Sequence, residues 1–168
     1  LRDFNRALEI EPENYWAFFG RGVNRQLEGD FPGAIEDYGH AMDLQPDDST
    51  GPRLYRETLL RRAGTPHDNF AKVTADWKDV WSKSEGAFLA GSLNEAGLIA
   101  LAVKEDEAAQ PDHQCAAFYF IAMQRRLDGD EAGAREFFQK CLATDQTTAL
   151  EYALARAELA HQEGAAKP

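Results

Sequence analysis

The sequence predicts an all-α array of antiparallel helix pairs, on three observations. Apolar residues recur at helical spacing along most of the chain, no segment alternates with the period of a strand, and one patterned segment returns one hundred positions downstream. The words Leu27–Asp30 (LEGD) and Leu127–Asp130 (LDGD) mark the same turn in both copies.

The opening segment, Asp3–Pro12 (DFNRALEIEP), reads as the second helix of a pair, with Phe4, Ala7 and Pro12 matching Tyr38, Ala41 and Pro46 of the next unit. Residues 1–12 are therefore expected to be half a repeat, whose apolar face needs a partner. Leu1 stands where an initiator Met is usual, so a fragment or processed form is expected.

Residues 15–48 form the clear repeat. Gly22 and Ala34 are small, as two closely approaching helices require, while Phe18 and Tyr38 fill the space beside them. Gly29 can take a left-handed conformation that closes the first helix, and Asp30 can cap the second. Ala41 leaves room for the following helix, and Pro46 stops the segment.

Residues 49–114 keep helical patterning without these signature residues, and are read as degenerate helical pairs. Leu54, Tyr55, Leu59 and Leu60 lie on a helix closed by Gly64. Phe70, Val73, Trp77, Val80 and Trp81 form the stripe of a second, with the two tryptophans in its core. A short helix is expected around Gly86–Ala90. Ser92 with Glu95 reads as a capping box opening a helix through Leu98 and Ala102.

Residues 115–146 repeat the pattern, with Phe118, Ala122, Ala134 and Phe138 at equivalent places and Cys141 in place of Ala41. Glu131 replaces Phe31, and Gln146 replaces Pro46. Residues 147–163 end the array as a terminal helix, for which Thr148 and Glu151 suggest a cap.

The aromatic, small and proline positions of Tyr15–Pro46 resemble the tetratricopeptide (TPR) motif. That resemblance implies a right-handed superhelix with degenerate central repeats and a terminal packing helix, and a non-catalytic scaffold that holds proteins on its concave face. The runs Phe88–Ala102, Ala116–Asp145 and Ala149–Leu159 are further similar to the C-terminal half of the NlpI-type bacterial lipoproteins. This narrower resemblance implies a periplasmic, often dimeric adaptor anchored at the outer membrane, bringing cell-wall hydrolases to other envelope proteins. Without it, a cytoplasmic scaffold is the expectation.

The concave positions of the TPR pattern fall on Trp16, Phe19, Val23 and Gln26 in the first repeat, and on Tyr119, Phe120, Met123 and Arg126 in the last. Arg53 and Arg56 of the middle segment are expected to face the same way. Phe120 and Met123 suit a core better than a groove, whereas Trp16, Phe19 and Tyr119 suit either. Large rings make good anchors for apolar or aromatic peptide segments. Carboxylate-clamp TPRs use Lys and Asn where this chain has Phe19, Val23, Tyr119 and Met123, so capture of a chaperone tail is not expected. The unpartnered opening helix supports a second reading, a self-assembly module.

A formal net charge of −11 disfavours nucleic acid, which is held by Lys and Arg on phosphates. The longest apolar stretch, Ala96–Val103, is too short to cross a bilayer. His40, His67, His113 and His161 show no metal-ligand spacing and are expected at the surface. Glu105–Asp106–Glu107 and Asp47–Asp48 read as helix ends, and no nucleophile, phosphate-loop or dinucleotide motif appears. Neither an enzyme nor a cofactor is expected. Arg61–Arg62 and Arg125–Arg126 suit the last turns of helices, where the macrodipole favours cations. Cys115 and Cys141 fall at the start of one helix and the end of its antiparallel partner, so the two are expected to be neighbours.

Overall fold

The computed structural model describes the backbone of residues 1–47, 49–66, 69–104 and 110–165. Asp48, His67 and the Glu105–Asp106–Glu107 cluster lie outside the described residues. Among those described there are ten helices and no strand. They group into two compact units, Leu1–His67 and Asp68–Pro168.

The first unit holds α1 (Arg2–Ile10), α2 (Tyr15–Glu28), α3 (Phe31–Leu44) and α4 (Thr50–Arg62), each packed on the next. Local chemistry sets the boundaries. Asn14 Oδ1 accepts the Ala17 N–H at 2.9 Å to open α2. Gly29, at φ 85°, closes it, and Asp30 then accepts the Gly33 N–H to open α3. The second LDGD turn repeats this: Gly129 has φ 82°, and Asp130 accepts the Gly133 N–H at 2.9 Å.

Contacts between α2 and α3 run in opposite chain directions, as an antiparallel pair requires. Phe18 meets His40, whereas Arg25 meets Gly33. A Cβ on Gly22 would lie 2.9 Å from the Tyr38 ring and 3.2 Å from the Asp37 Cβ. The small residue expected at the crossing is thus demanded by an aromatic ring. Phe4 of α1 lies over Gly20 of α2.

The second unit holds α5 (Phe70–Ala75), α6 (Val80–Leu89), α7 (Glu95–Lys104), α8 (Gln110–Leu127), α9 (Glu131–Ala143) and α10 (Leu150–Ala165). Its centre is α8, which packs against α6, α7, α9 and α10. Cys115–Ala117 and Tyr119–Met123 are consequently buried almost without interruption. The terminal helix lies on both α8 and α9.

Four local expectations are corrected. The stripe from Phe70 to Trp81 is two helices, because the Asp79 carboxylate captures the Ser82 N–H at 2.6 Å and starts a new one. That bond holds the Asp79 carboxyl below the usual range. Gly86–Ala90 is the last turn of α6 and not a separate helix. Asn94, not Ser92, caps α7, accepting the Gly97 N–H at 2.8 Å, while the Ser92 hydroxyl turns back to the Ala87 carbonyl. Thr148 stands one residue too early to cap α10; the Ala149 carbonyl accepts the Ala153 N–H there. Where Pro46 has no counterpart, Asp145 adopts φ 55° after Thr144 caps α9, a conformation aspartate tolerates better than most residues.

Candidate partner-binding surface

On α2, Trp16 is 70% exposed and stands above Tyr15, whose ring meets it edge-on at 4.9 Å. Phe19, half-buried one turn on, stacks on Tyr15 at 6.2 Å and on Tyr55 of α4 at 6.3 Å. Tyr38 of α3 joins the same cluster, 6.0 Å from Phe19 and 6.1 Å from Tyr55. Three buried tyrosines from three helices therefore form a floor, and Trp16 with Phe19 is the part of the cluster that reaches solvent. Rings held this way lose little freedom when a ligand covers them. Val23, next on the same helix, is half-buried.

The remaining sequence-predicted residues do not join this surface. Gln26 is only 3% exposed, because its Oε1 accepts the Tyr38 hydroxyl at 2.7 Å. Arg53 is held at the start of α4, donating from Nε to Ser49 Oγ at 2.9 Å and from Nη2 to the Pro46 carbonyl at 3.0 Å. Arg56 instead donates to the Ile35 carbonyl of α3.

In the second unit Tyr119 is fully buried, among Phe120 and Phe138, and Phe120 and Met123 are buried with it. Helices packed around α8 cover the place where a groove was expected, so Tyr119 is a core residue. Arg126 pairs with the buried Glu158 of α10 and with Glu131 at 3.4 Å, and its guanidinium lies 4.9 Å from the Phe138 ring. Its charge is used within the unit.

Several charged contacts escaped the sequence reading. Asp37, fully buried, accepts from Arg21 Nε and Nη2 at 2.9 and 2.7 Å and from Arg25 Nη1 at 2.8 Å. The Asp37 hydrogen bond raises the Arg21 pKa against the opposing effect of burial. The signal for this clamp was two arginines one turn apart on α2 facing an acid on α3. Arg125 does more than answer a helix dipole: it binds Glu95 of α7 through two 2.8 Å hydrogen bonds. Arg61 likewise pairs with the buried Glu57 at 2.8 Å. His113 is half-buried and stacks on Trp81 at 4.4 Å, not at the surface as expected. An open depression of about 360 Å³ lies between α3 and Arg56, lined by Ile35, Glu36, His40 and Asp43.

Among the described residues, no group of three or more His, Cys, Asp or Glu is placed to hold a metal. No described helix is long and apolar enough to cross a membrane.

This is a helical-hairpin protein with an exposed aromatic face on one hairpin. No family model matches the chain. It is similar to tetratricopeptide repeat protein 36 of Danio rerio, 33% identical over 76 residues, which is 44% of this chain and 40% of that protein. The chain thus spans well under half the length of the relative. The similarity is thus to part of a TPR-containing protein, and the antiparallel α2–α3 hairpin agrees with a helical-repeat fold.

Proposed function

We propose that the chain is a non-catalytic scaffold that holds apolar or aromatic peptide segments on the α2 face led by Trp16 and Phe19. The observation that carries this reading is the 70% exposure of Trp16 above a floor of buried tyrosines. A ring left mostly in water contributes little to folding, and rigid exposed aromatics are typical binding anchors. Val23, half-buried on the same helix, would border the site.

The experiment is a calorimetric titration with peptides selected on the wild-type protein from a displayed library. Trp16→Ala with Phe19→Ala should weaken binding at least tenfold, with helix content retained. Unchanged affinity sinks the assignment of this face.

One finer reading belongs with it. The NlpI-type resemblance would make the scaffold an envelope adaptor, and a lipoprotein signal in the upstream coding sequence is the test of that.

A second function, self-assembly, is favoured by α1, where Leu1 is 40% and Ile10 71% exposed. Sedimentation should then show a concentration-dependent dimer that Ile10→Glu abolishes. A monomer at every accessible concentration removes this reading.

A further inference from the structure

Two thiols meet inside the second unit. Cys115, near the start of α8, and Cys141, in the last turn of α9, have their sulfurs 3.1 Å apart, and both residues are fully buried. Cys115 Sγ also lies 3.7 Å from the Cys141 carbonyl oxygen. The hairpin does not need this pair. One hundred positions upstream, Tyr15 and Ala41 occupy the corresponding places of the first clear repeat. A disulfide bond is about 2.05 Å long. The sulfurs therefore have roughly 1 Å to close, within reach of small side-chain rotations.

We propose that Cys115 and Cys141 are a redox site that forms a reversible disulfide clipping α8 to α9, by exchange with a low-molecular-weight disulfide such as oxidised glutathione. The two thiols are not equivalent. The hydrogen bond from Cys141 holds the Cys115 thiol below its ordinary range, with burial opposing and Thr144 assisting. The Glu151 and Asp112 carboxylates act against the Cys115 thiolate. The Cys141 thiol is pushed up, first by its contact with Cys115 and then by burial. These directions favour Cys115 as the first attacking sulfur, and the exchange balances equally with Cys141 first.

The exchange balances in two steps. Cys115 gives up its proton, and its thiolate attacks one sulfur of the glutathione disulfide. This forms a mixed disulfide and releases one glutathione thiolate, which takes up that proton. Cys141 then loses its proton and attacks the Cys115 sulfur, forming the protein disulfide and expelling the second glutathione, which is protonated. Two protein thiols are oxidised and one disulfide is reduced to two thiols. Burial means that the oxidant reaches Cys115 only when the start of α8 opens locally. Oxidation and reduction should both be slow while the unit stays folded.

The test is incubation of the whole native chain with oxidised glutathione, followed by intact mass and non-reducing peptide mapping. The expected product has lost two hydrogens and carries a Cys115–Cys141 cross-linked peptide. Because the bond joins positions 26 apart, it should raise the thermal midpoint by roughly 5 °C or more, reversibly on adding dithiothreitol. Cys115→Ser should abolish both the product and the redox dependence of the midpoint. If that variant folds poorly, the wild-type mass measurement still decides. Two intact thiols after prolonged native oxidation would overturn the proposal, as would a stable glutathione adduct or a disulfide between two chains.

Discussion

Replacing Tyr38 by Phe removes one oxygen from the α2–α3 interface and leaves the ring in place. The magnitude follows from where that oxygen sits. Tyr38 is fully buried, Gln26 is 3% exposed, and the bond between them is 2.7 Å long. A net hydrogen bond is worth about 1 kcal/mol, and stripping one side of a buried pair costs about 1–3 kcal/mol. Tyr38→Phe is therefore expected to cost about 1.5 kcal/mol. With a urea slope of about 2 kcal/mol/M, the unfolding midpoint should fall by roughly 0.5–1 M.

Gln26→Met should cost a similar amount, but the double variant should cost less than the two together, because both polar partners are then gone. A coupling of about 1 kcal/mol is expected. Full additivity, or a Tyr38→Phe midpoint equal to wild type, would refute the assignment of Gln26 to the interface. The same bond has a pH signature. Burial, and then the Asp37 charge, raise the Tyr38 phenol well above its ordinary value. An unfolded tyrosine ionises near pH 10. The stability contributed by Tyr38 is thus fully present below about pH 10 and is lost as pH rises toward the folded value. Tyr38→Phe should be less sensitive than wild type in that alkaline window.

Two further outcomes follow from buried charge. Asp37→Asn removes the anion that Arg21 and Arg25 share, and should cost about 2–3 kcal/mol in urea unfolding; the figure sits low for a buried pair because both arginines keep some solvent. A midpoint within 0.3 M of wild type (roughly the scatter of such measurements) would rule out the clamp. Glu85 is 5% exposed, and burial followed by the Glu151 and Asp79 charges raises its pKa well above the usual carboxylate value. Its neutral form favours folding below about pH 4, and that contribution fades as pH rises through the folded value. Glu85→Gln should therefore raise the thermal midpoint by a few degrees at pH 7 and by little at pH 4; an equal gain at both would show that ionisation is not the cause.

The parts of the fold visible in the sequence are those decided within a few residues. Gly29–Asp30 and Gly129–Asp130 each combine a left-handed stop with an immediate cap, so their positions could be read directly. The break between α5 and α6 was hidden for the same reason inverted. Phe70, Val73, Trp77, Val80 and Trp81 keep helical spacing across it, and only the Asp79–Ser82 bond shows that the chain restarts there. Periodicity records which face is apolar, and it does not record whether the backbone bonds run through.

The candidate site was legible only in part, because exposure depends on what covers a helix. Phe19 and Tyr119 occupy the same place in the two clear repeats, one hundred positions apart. Phe19 is half-buried on a helix packed by α1 and α3, with Tyr55 beside its ring; Tyr119 is fully buried on α8, which four helices surround. Positions 26 and 126 diverge in the same way. Gln26 is matched to the Tyr38 hydroxyl, and Arg126 is matched to the Phe138 ring and to Glu158 of the terminal helix. In both pairs the side chain on the first helix suits the aromatic residue on the second, a hydroxyl with an amide and a ring with a cation. A repeat motif dictates how its two helices meet, whereas the fate of the outward positions is written in elements far along the chain. Among the positions that the motif nominated, Trp16 differs in having a large ring that is 70% exposed, which is why the binding proposal rests on it.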